Sequence, residues 1–133
     1  MTRVVFSIDD GDKLHSIAKF LHNIDKLRAM KKLKGDFKLC IGTYKGVPEY
    51  SFICDQEDFL NYVLAYGWVK HQESILLIFP DNQVLAETRG SAMGTNNLKY
   101  LGIWTNVSKS EIKGDYTYIM EDKTWWQINS TVT

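Results

Sequence analysis

Tyr44, Glu49, His71, Gln72, Glu73, Ser74 and Arg89 are the residues whose types and spacing could do chemistry. They bring a stacking ring with a hydroxyl, carboxylates, an imidazole that titrates near neutral pH, and a planar guanidinium. Together they suit binding of a small anionic or aromatic molecule, with Arg89 matched to a phosphate or carboxylate. The segment Arg89-Gly-Ser-Ala-Met-Gly-Thr-Asn-Asn97 adds glycines and hydroxyls of the kind that present backbone N–H groups to anions. It lacks the lysine of a P-loop and the third glycine of a dinucleotide fingerprint.

No catalytic set is complete, so no catalytic residue is assigned. Ser51, Ser74 and Ser91 have no evident histidine and acid arranged for nucleophilic attack. His71-Gln72-Glu73 matches the first half of a zinc-deaminase signature, but the Pro-Cys-x-x-Cys half is missing. His15 and His22 share one helix without a third ligand nearby. No metal site and no cofactor are expected. Cys40 and Cys54 fall on the two strands of one hairpin, and the register that would make them opposite is left open. Two reduced, buried thiols are the expectation.

These residues sit at the ends of elements that the periodicity picks out. A strand over 2–8 precedes a long helix at about 13–34, whose stripe is Leu14, Ile17, Leu21, Ile24, Leu27 and Met30. A hairpin, 37–44 and 48–54, turns at Lys45-Gly46-Val47. A second helix opens at Asp55 and packs through Phe59, Leu60, Val63 and Leu64. Ile75-Leu-Leu-Ile-Phe79 is apolar on both faces, and so reads as a central strand. Strands at 84–88, 98–107, 116–120 and 124–128 follow, the third of the five kinked at Gly102. The order is β-α-β-β-α-β-β-β-β-β. It is read as α+β, a mainly antiparallel sheet with two helices packed on one face.

Residues 1–133 form one domain by length, large enough for a real core. No apolar run approaches the ~20 residues that span a bilayer, so the protein is expected to be soluble and cytoplasmic, without a membrane partner. Charge is zero overall but split: residues 1–45 hold ten basic against five acidic side chains, and 46–133 hold six against eleven. The basic stretch 26–38 could meet phosphates, yet a nucleic-acid module would be basic as a whole. Trp125-Trp126 must put one ring on each face of the last strand. One enters the core, and the other suits an interface, so a homo-oligomer, most simply a dimer, is expected.

The stretch Ile41-Gly-Thr-Tyr-Lys-Gly-Val-Pro-Glu-Tyr-Ser-Phe52, followed by His71-Gln-Glu-Ser-Ile-Leu76, resembles small accessory proteins of tailed bacteriophages. The resemblance covers about a third of the chain. It implies an early or anti-defence protein of the host cytoplasm, one that inhibits a host factor. Such a protein would bind a host protein or sequester a nucleotide-like signal. A small enzyme acting on a nucleotide, using Glu49, His71, Glu73 and Arg89, is the alternative.

Overall fold

The computed structural model describes residues 1–7, 16–32, 35–66, 74–89 and 96–130. The side chains of Ser16, Ile17, Lys19, Tyr66, Ser74, Arg89 and Asn96 lie outside that description. Eight strands and two helices follow in the order expected: β1 (Arg3–Phe6), α1 (Ser16–Lys31), β2 (Lys38–Tyr44), β3 (Val47–Asp55), α2 (Gln56–Tyr66), β4 (Ser74–Ile78), β5 (Gln83–Arg89), β6 (Asn96–Val107), β7 (Thr117–Ile119) and β8 (Thr124–Asn129).

The α+β sheet with two helices on one face is not what these elements build. The strands close into an antiparallel barrel in the order β1-β3-β2-β7-β8-β6-β5-β4. Two long-range pairings make the closure. The short β1 lies between β3 and β4, with Val5 opposite both Ile53 and Leu76. On the other side, β2 pairs with β7, with Cys40 opposite Ile119. Neither pairing leaves a local signature, because closure depends on register and tilt around the whole ring.

Alternation along each strand separates two cores. Val5, Cys40, Ile53, Ile78, Val84, Trp104 and Ile119 fill the lumen. Val4, Phe6, Leu39, Phe52 and Cys54 face outward from the same strands and are covered by Met30 of α1 and by Phe59 and Tyr62 of α2. There Phe6 contacts the rings of Phe52, Phe59 and Tyr62 at 5.8, 5.0 and 5.2 Å. Each such buried ring contributes roughly 1.5–3 kcal/mol. The helices therefore clad one wall of a barrel, and the β1-β3-β2 wall carries apolar residues on both faces for that reason.

The helix faces differ from the periodic expectation. Asn23 and Met30 are buried, and Ile24 and Leu27 partly so, but Leu21 is 56% exposed. Asn23 takes the inward position assigned to Leu21, so the buried stripe is turned about the helix axis. Leu14 lies outside the described residues, as does the Ile17 side chain. On α2, Phe59 and Tyr62 point inward while Leu60 and Leu64 are exposed.

Gly102 lets β6 change phase. Its φ is +141°, and an added Cβ would run into the Asn129 carbonyl. The β5–β6 register shifts here, between Val84 and Leu85. Such a bulge coils a strand around a barrel corner. Leu101 and Trp104, of opposite parity, both pack against the lumen as a result.

Candidate functional site

The antiparallel register brings most of the candidate residues to one rim. Tyr44 ends β2 opposite Val47, and Glu49 on β3 lies opposite Gly42. Ser74 begins β4 opposite Thr88. Arg89 ends β5 opposite Asn96, the first residue of β6. Each of these strand ends belongs to the rim toward which β1 runs. Tyr44 and Glu49 are neighbours on paired strands, while β1 separates them from Ser74 and Arg89 around the ring. His71, Gln72 and Glu73 lie outside the described residues, so the pairing of Glu49 with Glu73 lies outside them too.

The lumen changes character from one end to the other. Away from this rim it holds Ile78, Val84, Trp104 and Trp126. That end carries charged groups: Arg3 sits over the Trp126 ring at 6.0 Å, and Lys38 Nζ meets Asp122 Oδ1 at 2.9 Å. Asp122 holds the Lys38 ammonium above its ordinary range. Toward the rim, alternation from Ile53 and Val84 turns small or polar residues inward: Glu49, Ser51, Ala86, Thr88, Asn97 and Lys99. Ser51 is buried, Thr88 half-buried, and Glu49, Asn97 and Lys99 are exposed at the opening. A closed barrel of eight strands can hold one small ligand when its lining is not fully bulky.

The tip carrying Tyr44 is fixed from outside. Lys45 and Gly46 form the turn, both at positive φ, as a two-residue hairpin loop requires. The Asp115 carboxylate accepts from the Thr43 hydroxyl at 2.9 Å, the Lys45 N–H at 2.8 Å and the Gly46 N–H at 3.0 Å. Those N–H donors, with Gly46 foremost, hold its carboxyl below the usual carboxylate range. Tyr44 remains 46% exposed, with Lys45 Nζ 5.4 Å from its ring centroid. A ring and a cation are thus presented together on a tethered loop, an arrangement that suits stacking and anion contact.

Sequence reading missed Lys99 and Asp115. Lys99 faces the lumen only because the Gly102 bulge changes the parity of β6. Asp115 acts across a long sequence separation, and its one local signal is the Gly114-Asp115 turn pair. The two cysteines are not opposite: Cys40 pairs with Ser51 and Cys54 with Val4, on different faces of the wall. Both are free and buried. Burial pushes the Cys40 thiol up to about 12, with Ser51 pulling the other way, and raises Cys54 as well. Among the described residues no group of His, Cys, Asp and Glu could hold a metal ion, and no helix is long and apolar enough to cross a membrane.

The last strand does place one indole on each side. Trp126 stacks on Trp104 in the lumen. Trp125 lies outside, half-buried against Tyr118 at 4.4 Å and Tyr116 at 5.4 Å, with Lys109 5.8 Å from its ring. The basic stretch is drawn toward acids of the second half, through Lys31–Glu121 and Lys38–Asp122. No model of a known protein family matches the chain, and neither does any curated protein.

Proposed function

We propose that this protein is a non-catalytic binding barrel that captures a small, anionic, nucleotide-like molecule at the Tyr44–Glu49 rim. The observation that carries the reading is the gradient in the lumen, from large apolar side chains to Ser51, Thr88, Asn97 and Lys99 at the opening. Tyr44 supplies a stacking surface, and Lys45 and Lys99 supply positive charge for a phosphate. The biological setting rests on the resemblance to phage accessory proteins. In that setting the protein acts in the host cytoplasm and inhibits a host or defence factor by removing its signal molecule.

Calorimetry with nucleoside monophosphates and cyclic dinucleotides tests the reading. One of them should bind with saturable heat, and Tyr44→Ala with Lys99→Ala should weaken it at least about tenfold, the scale of one lost charge-assisted contact. Unchanged affinity in the double variant would move the site away from this rim.

A further inference from the structure

We propose that the outer wall built by β2, β7, β8 and β6 is a self-association surface, through which two copies of this chain pair face to face at Trp125, independently of the rim.

Register draws one apolar row across this wall. Ile41 lies opposite Tyr118, Tyr118 opposite Trp125, and Trp125 opposite Val107. All four are half-buried, and Tyr116 adds a further ring 5.4 Å from Trp125. Trp126, the next residue, is in the lumen, so the row is on the outside. β8 and β6 stand across the barrel from β1 and β3, strands that the helices clad. Neighbouring strands thus share an aromatic and aliphatic surface that is still partly open to water. Trp and Tyr are the side chains most enriched at the centres of protein interfaces.

The charges around the row favour a second copy as its partner. Next to α1, charges pair within the chain, Lys31 with Glu121 and Lys38 with Asp122. Around Trp125 they do not. Among the described residues, Lys109, Lys113 and Lys123 have no carboxylate within ion-pair distance. Glu111 accepts from the Ser108 N–H at 2.9 Å and hydroxyl at 2.7 Å. Asp115 accepts from the Thr43 hydroxyl and the N–H groups of Lys45 and Gly46. These donors are neutral, so the rim of the row keeps charges of both signs without an opposite charge to meet them. A polyanion would be repelled by Glu111 and Asp115, and a basic partner by the lysines. A second copy offers both signs.

The placement of the charges also suits a twofold axis. Lys123 comes two residues before Trp125 on the chain. Asp115 sits beside Gln127, two residues after it, where the Asp115 carbonyl accepts from Gln127 Nε2 at 3.0 Å. An axis near Trp125 turns the Lys123 end of one copy onto the Asp115 end of the other. An apolar centre inside a rim of matched charges is the make-up of a specific interface.

The test is sedimentation velocity and ¹⁵N-indole NMR on the full chain over a concentration series. The wild type should pass from monomer to dimer in the micromolar range. The Trp125 indole signal should move on dilution, while those of Trp104 and Trp126, inside the lumen, stay in place. Trp125→Ala should raise the dissociation constant at least about tenfold. Lys123→Glu should raise it less, by an amount that fades as salt is added. Leu98→Ser, at an exposed residue of β6 outside the row, should leave it unchanged. A wild type that stays monomeric at high micromolar concentration overturns the proposal. So does a dimer that both Trp125→Ala and Lys123→Glu leave intact, or one whose dilution does not move the Trp125 signal. The wild type and Lys123→Glu, a change at an exposed turn residue, decide the matter even if Trp125→Ala does not fold.

Discussion

Trp104 and Trp126 stack inside the barrel with ring centroids 5.4 Å apart and planes 10° from parallel. The geometry follows from the β6–β8 register, in which Trp104 lies opposite Ile128 and Asn106 opposite Trp126. The two indoles are diagonal neighbours on the lumen face, within reach for side chains of this size. Because Trp126 also lies under Arg3, it joins the lumen core to the charged end of the barrel. Trp126→Ala should cost about 3 kcal/mol in denaturant titration, and should blue- or red-shift the emission of the remaining tryptophans. A loss below about 0.5 kcal/mol, the scale of a neutral surface change, would contradict this packing.

The clad wall makes a sharper contrast. Phe52 is fully buried beneath the helices, so Phe52→Ala should destabilise by roughly 3–5 kcal/mol. Leu21→Ala, on the open face of α1, should stay within about 0.5 kcal/mol. Similar losses for the two variants would mean that α1 sits on the barrel in another orientation.

The order of elements was legible in the sequence because each has its own period or turn residues. The hairpin at Lys45-Gly46, the kink at Gly102 and the split of Trp125 from Trp126 are local facts of this kind. Closure was not legible. It depends on β1 meeting both β3 and β4, and on β2 meeting β7, and no short window of residues records either pairing. One trace was present: β3 is apolar on both faces from Phe52 to Cys54, as a strand between a lumen and a cladding helix must be. At the site, Tyr44 and Glu49 could be named from their place at strand ends. Lys99 could not, because its inward parity depends on the bulge.

Asp115 gives a pH-dependent signature. Its carboxyl is held below the usual range in the fold, so the unfolded chain takes up its proton first as pH falls. Its contribution is complete above the unfolded pKa of about 3.9 and is lost as pH falls through the lower folded value. Asp115→Ala should cost about 1 kcal/mol at pH 7, comparable to a lost helix cap. The difference between wild type and variant should shrink below about pH 4. An equal difference at pH 3 and pH 7 would rule out this origin.

The thiols should be silent in the native state. Cys40 and Cys54 are buried on opposite faces of the wall, so neither a disulfide nor ready modification is expected. A thiol reagent at pH 8 should titrate none in the folded protein and two after denaturation. The Cys40 thiol is raised to about 12, so the unfolded chain ionises first and stability should decline as pH rises above about 8.5. Fast modification of either cysteine without unfolding would contradict the packing.

Gly102 tests the closure itself. With φ at +141° and the Asn129 carbonyl where a Cβ would go, Gly102→Ala has to strain β6 or part it from β8. A loss of roughly 1–3 kcal/mol is expected, with weakened amide protection along Ile103–Val107 and Trp125–Asn129. A neutral substitution would mean that β6 does not turn a barrel corner there.

Titration of the wild-type protein with cyclic dinucleotides and nucleoside monophosphates in a calorimeter at low salt shows whether the polar rim of the barrel takes a nucleotide-like anion. Saturable, one-to-one heat is expected for at least one of them, with weaker binding as salt is raised, because Lys45 and Lys99 supply screened charge. No heat from any of these ligands at millimolar concentration, with no rise in melting temperature, would contradict it.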